Sequence, residues 1–306
     1  MTAALNFVTG PWSSAWFAGN TLDYMALLLC AALGAAFAFR SGLFNLGLEG
    51  QIYLGGLAAA CALLYLPPAC PSAIALCLAA TAACLVGAGM GVFCAVLNRI
   101  SGADVLITSF LLSATLTPVA DALITGPLRD ISGNLLATPR FAATLPRVLP
   151  PSALSLSFII SLCLCVASGV LIGNTGAGYR FRIAGSSPAF ARYGGIDAAA
   201  FRVPAMGLSG GAGGLCGFFA VAGSYGLCYQ GFSGGLGWAG IACALIAGNG
   251  FFALIPAALF YAALKSGVDQ TLLSSAMSLD ASFLLQAAIL ALAGVFQTRT
   301  RRNCAR

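Results

Sequence analysis

Histidine is absent from this 306-residue chain, lysine occurs once, as Lys265, and charged residues make up only 7% of it. Without histidine the commonest proton shuttle and metal ligand is missing, and a nucleophilic triad has no ordinary base. Lys265 does not follow the glycine pattern of a phosphate-binding loop, so ATP has no such seat in this chain. Gly87 and Gly89 lack the third glycine of a dinucleotide fingerprint, because Val92 stands there. None of the twelve cysteines forms a Cys-x-x-Cys pair, and Cys163 and Cys165 point to different sides of a helix. Most cysteines fall inside apolar runs, where they act as small hydrophobes, while Cys70 falls in an expected external loop. No basic residue precedes Arg40, so a cleaved signal peptide is not expected. These absences leave no catalytic residue and no metal ligand set to nominate.

What is present is apolar: 60% hydrophobic residues and a mean hydropathy of +0.96. Soluble domains carry about 25% charged residues, and apolar runs beyond about 18 residues read as membrane spans. The ~10-residue alternation of a membrane barrel is missing. The expected fold is therefore an all-α polytopic membrane protein, read as one integral domain over 1–306. Nine spans are expected, near 22–39, 50–66, 73–97, 104–124, 152–174, 204–223, 234–248, 250–265 and 279–297. The seventh and eighth are short and glycine-interrupted, which leaves the count open between eight and ten. Residues 1–20, with Trp12 and Trp16, read as a segment along the membrane interface.

With a cytosolic C-terminus, ten arginines lie inside and only Arg129, Arg140, Arg147 and Lys265 lie outside, as the positive-inside bias requires. The proline-rich stretch 125–150 is then an external loop, 175–203 a cytosolic loop and 298–306 a basic cytosolic tail. Basic charge placed this way orients a membrane protein and does not point to nucleic acid. Asp23, Asp104, Asp121 and Asp280 fall near span ends, where capping or interface placement accounts for them. The scarcity of carboxylates deeper in the spans disfavours an ion-driven secondary transporter or channel, which stays as the alternative. Gly207/Gly211, Gly210/Gly214, Gly213/Gly217 and Gly87/Gly91 form small-xxx-small pairs suited to close helix packing and to sliding.

Two segments stand out. In the first, Ser187 is placed to cap a helix, Pro188 suits its first turn, and Gly194 and Gly195 suit its end. This basic, punctuated mini-helix carries Phe190, Arg192 and Tyr193 between two apolar spans, where it can touch a cytosolic partner or lie on lipid. The second runs from Arg40 to Gln51 and sets Asn45, Glu49 and Gln51 among glycines where two spans meet. Such a break exposes backbone that can hold a ligand or a gate, although Glu49 at a helix start also suits a cap. Aromatics at Phe218, Phe219, Tyr225, Tyr229, Phe232 and Trp238 gather near spans six and seven, either to stack on a cargo ring or as an interfacial belt.

The run Phe44-Asn45-Leu46-Gly47-Leu48-Glu49-Gly50-Gln51 resembles the N-[IL]-G-x-E-G-Q signature of ABC importer permeases, in the simple-sugar and nucleoside branch related to branched-chain amino acid permeases. Tyr179 to Asp197 is similar to that family's coupling region, and Leu208 to Gly214 to its Ser-Gly-rich span. Gly235 to Ala242 matches a further span pattern, whereas Asn249-Gly250 replaces the Asn-Pro often found there. The resemblance runs from about residue 33 to 297. It implies a permease subunit in a bacterial inner membrane, with no ATP site of its own, that imports a neutral nucleoside, riboflavin-like vitamin or simple sugar. Its implied partners are a paralogous permease, giving a heterodimer, a cytosolic ATPase that binds ATP and magnesium, and an external substrate-binding lipoprotein. Ser187, Pro188, Phe190, Arg192, Tyr193 and Gly194 would then couple to the ATPase. Asn45, Glu49, Gln51, Phe218, Phe219, Tyr225 and Trp238 are the candidates for the path or its gate.

Overall fold

A computed structural model describes residues 7, 9–67 and 69–274. A short 3-10 turn, Gly10–Trp12, precedes ten α-helices among the described residues: α1 Ala15–Arg40, α2 Leu48–Tyr65, α3 Ser72–Ser101, α4 Val105–Thr125, α5 Ser157–Asn174, α6 Gly176–Ser186, α7 Pro188–Tyr193, α8 Ala198–Phe218, α9 Leu236–Ile246 and α10 Leu254–Ser274. No strand occurs among these residues, and α8 runs on into a π-helical turn, Phe219–Tyr225. Among the described residues six helices are long and apolar enough to cross a membrane: α1 to α5, and α8 with its π turn. The first eight expected spans all carry helices. The ninth span, Asp280 and the basic tail 298–306 lie outside the described residues.

Helix α1 starts earlier than its apolar core suggests, because the Ser14 side chain accepts a hydrogen bond from the Phe17 amide and caps it. Trp16, expected in an interfacial segment, therefore belongs to the first turn of the span, while Trp12 stays outside it. Helix α1 is buried from Met25 to Ala38 and forms the centre of the molecule.

Glycine sets the contacts around that centre. A Cβ on Gly87 of α3 would lie 2.2 Å from the Gly210 carbonyl of α8, and one on Gly214 would lie 2.0 Å from that of Ala83. One turn on, a Cβ on Gly217 would lie 2.0 Å from the Ile52 carbonyl of α2. The overlapping glycine pairs thus serve two neighbours: Gly210 and Gly214 admit α3, and Gly217 admits α2. In lipid, where apolar burial gives helices little reason to associate, such backbone approach supplies the packing.

The 126–156 connection, which overlaps the external loop expected over 125–150 and runs into the start of the span expected from 152, lies against the chain that follows α8. The amides of Thr138, Phe141 and Leu145 donate to the carbonyls of Cys228, Gly226 and Ala222, and Ala137 bridges Tyr229. The strap satisfies backbone groups that the π turn and the irregular 226–235 stretch leave free.

Candidate functional site

Helix α2 begins inside the protein. After Arg40 the chain turns at Gly42 (φ 78°) and comes back along α1 until Leu48 meets Gly34. At 1.5 Å per residue this is about 9 Å in from the Arg40 end. A helix start in apolar surroundings needs partners for its free amides, and side chains supply them. Ser113 of α4 accepts from the Gly50 amide at 2.8 Å, and Ser109, one turn earlier, accepts from Leu46 at 3.1 Å. Asn45 Oδ1 accepts from the Gly47 amide at 3.0 Å, while its Nδ2 donates to Gln51 Oε1 and Ser209 Oγ, both at 2.8 Å. Asn45 and Gln51 are buried, so this joint ties α2 to α8 and holds no open face.

Glu49, the only glutamate in the chain, caps a helix other than its own. Its carboxylate accepts from the Gly235 amide at 3.1 Å, from the Gly237 amide at 2.6 Å and from the Ser233 hydroxyl. These groups form the N-terminus of α9, where the helix dipole favours a negative charge. Of the cap and gate left open by the sequence, the structure shows a cap, set on α9 rather than on Glu49's own helix. Tyr53, one turn after Glu49, extends the joint. Its hydroxyl donates to Asp121 and accepts from the Gly231 amide at 2.7 Å, and its ring stacks on Phe232 with centroids 4.7 Å apart. Asp104 and Asp197 do cap helices, accepting from Leu106 and Ala199, both at 2.9 Å. Asp121 instead holds Tyr53.

The aromatic candidates do not form one open patch. Phe218, Phe219 and Phe232 are buried in the core, which separates them from both a cargo-facing stack and a lipid-facing belt. Tyr225 and Tyr229 pair edge to face at 5.0 Å. Trp238 alone is exposed, near Phe110 of α4 at 6.3 Å.

At the Arg40 end lies the mini-helix α7. Ser187 Oγ accepts from the Phe190 amide at 3.4 Å, Pro188 opens the helix, and the Gly194 amide donates to the Phe190 carbonyl at 3.1 Å. Gly195 then turns left-handed at φ 71°. Ala191 is fully buried, while Phe190 and Tyr193 are 62% and 93% exposed. A groove of about 480 Å³ runs beside Pro188, Arg192, Asp197 and Arg202. Helix α6 joins this unit to the core, since a Cβ on Gly185 would lie 1.8 Å from the Arg40 carbonyl. Arg40 Nε in turn donates to the Asn249 carbonyl at 2.7 Å. The α9–α10 turn that departs from Asn-Pro is made by Gly248 (φ 62°) and Asn249 (φ 59°). Sequence reasoning passed over Ser109, Ser113 and Tyr53. The i, i+4 spacing of Ser109 and Ser113, which sets both on one face of α4, was the signal for the first two.

The family model described as "branched-chain amino acid transport system / permease component" matches residues 17–298. A probable riboflavin import permease of Treponema pallidum is 36% identical over 296 residues, covering 92% of this chain and 75% of the relative. A glucose ABC transporter permease of Haloferax volcanii is 30% identical over 252 residues, 78% of this chain and 66% of the relative. A guanosine ABC transporter permease of Bacillus subtilis is 27% identical over 265 residues, 84% and 75% respectively. No solved structure matches the chain.

Proposed function

This chain belongs to the permease family of branched-chain amino acid transport systems and is a multi-pass membrane permease of an ABC transporter for a small solute; from that premise we propose that it imports a neutral solute of the riboflavin, nucleoside or sugar kind. ABC permeases act with an ATPase and a substrate-binding protein. In our reading α7 is the seat of a cytosolic ATPase, which binds the ATP and magnesium. A paralogous permease completes the path as a heterodimer, and a lipoprotein delivers cargo to the opposite face. The α7 end, with the C-terminus, then faces the cytosol of a bacterial inner membrane. The strap, Arg147 and Lys265 face outward.

The observation that carries this reading is α7 itself, a fully capped helix whose Phe190 and Tyr193 stand exposed beside a groove. Exposed aromatics on a rigid base are what a partner's apolar pocket selects. Behind them, Gly185 on the Arg40 carbonyl and Arg40 on Asn249 give a contiguous path from α7 to α1 and to the end of α9. Motion of the ATPase would reach the Glu49-capped start of α9 along this path.

The test is ATP-driven uptake of labelled riboflavin, guanosine and glucose in vesicles holding the chain with its ATPase, binding protein and second permease. Replacing Phe190 and Tyr193 together with Ala is expected to abolish uptake while the chain still inserts. Uptake that survives this change would remove α7 as the ATPase seat, whereas uptake that follows an ion gradient with an inactive ATPase would favour a secondary transporter.

A further inference from the structure

At the end of α1 opposite α7 lies a cavity of about 520 Å³ that none of the joints above uses. Its size is that of a small-molecule site, whose ordinary range is about 300–1,000 Å³. Three elements build it: the first turns of α1, the π turn after α8, and the second half of α10, with the strap's Arg147 at the rim.

Asp23 is the centre of its wall. It is only 5% exposed, a costly position for a carboxyl group, which the Ser155 backbone and the Arg147 charge ease only in part. Oδ2 accepts from Ser224 Oγ at 2.6 Å, while Oδ1 is closed off from water and has no hydrogen-bond partner among the described residues. Ser224 and Tyr225 reach the cavity through the π turn. Such turns are rare and cluster at functional sites, and spanning does not require one, since α8 already has 21 residues before it. The distortion places a hydroxyl on Asp23 and a tyrosine in the cavity wall.

The lining also selects by charge and shape. Asp23 and Asp269 are balanced by Arg147 and Lys265, with Lys265 Nζ 3.2 Å from Asp269 and 5.2 Å from the Tyr24 ring centre. Balanced charge gives an ionic cargo no net attraction. Trp16, Tyr24 and Tyr225 add aromatic surface suited to a planar ring.

We propose that this cavity is the outward-side seat for cargo leaving the binding protein, and that it takes a neutral heterocyclic solute whose polar groups meet the Asp23–Ser224 pair. This rests on the importer reading above and adds a binding residue to it.

Binding to the purified chain in nanodiscs, without ATPase or ATP, tests the seat apart from transport. In a Trp12→Phe, Trp238→Phe background Trp16 is the sole tryptophan, because the chain has three. Saturable quenching of Trp16 by riboflavin or guanosine is expected, with glucose weaker for want of a ring. Asp23→Asn should raise the Kd about tenfold, the loss of one charge-assisted hydrogen bond, and Ser224→Ala should raise it severalfold. Should Asp23→Asn fail to fold, the Ser224→Ala shift and the Trp16 signal decide the matter. No saturable quenching with any of the three solutes, or an unchanged Kd in the variants that fold, overturns the seat. Normal ATP-driven uptake alongside either result would leave the importer reading standing, whereas uptake that follows an ion gradient with an inactive ATPase removes that reading whatever the cavity binds.

Discussion

At the starts of α2 and α9 the chain breaks helix in apolar surroundings and closes the breaks with its own side chains, through Asn45, Ser113, Glu49 and Tyr53. At α7 the caps are equally complete, yet Phe190 and Tyr193 stand open. The first region spends its polar groups inward and gains a fixed geometry. The second is rigid in backbone and leaves its apolar surface for another molecule. Where a polar group has no water to fall back on, its loss costs the full desolvation of the partner left behind. Where an apolar group already faces solvent, the fold loses almost nothing with it.

The largest effect expected is therefore at Glu49. Glu49→Ala removes the acceptor for the Gly235 and Gly237 amides and the Ser233 hydroxyl. Donors stranded in this way should cost roughly 3–5 kcal/mol, while Glu49→Gln, which keeps one acceptor oxygen, should cost about half. Thermal unfolding in detergent reads both. If Glu49→Ala melts with the wild type, the interior start of α9 is held by packing and the contrast with α7 dissolves.

Gly185 lies between the two regions and sharpens the comparison. A Cβ there meets the Arg40 carbonyl at 1.8 Å, and backbone on that side cannot swing away as a side-chain tip can. Gly185→Ala should cost about 1–3 kcal/mol as overpacking and should also reduce uptake per ATP hydrolysed. Lower stability with unchanged coupling would mean that α7 signals to the core by another route.

The difference in legibility follows the same line. Helix α7 could be read residue by residue because its signals are local: Ser187, Pro188, Gly194 and Gly195 act on neighbouring backbone. The first eight spans could be read from apolar run length, although Ser14 moved the start of α1 to Ala15. Glu49 could be recognised as special but not assigned, since its acceptor role joins residues 184 to 188 positions away. Asp121 does sit near the end of its span, but its partner Tyr53, 68 residues away, could not be read locally. Phe218 and Phe219 carry the same side chain as Phe190, and only the three-dimensional packing makes the first two core. Asp23 looked like a helix-end acid until the π turn set Ser224 beside it.

The smallest effect on stability should come from the substitution with the largest effect on transport. Phe190→Ala with Tyr193→Ala removes two exposed rings from a helix that Ala191 anchors and Ser187 caps. The shift in stability should stay within about 0.5 kcal/mol per substitution, the range of ordinary surface changes. A drop in melting temperature as large as that of Glu49→Ala would place these rings in the fold itself, and α7 would then be another closed joint. An unchanged melting curve together with lost uptake separates the two regions by cause: one holds the permease in shape, and the other has a use only when a second protein covers it.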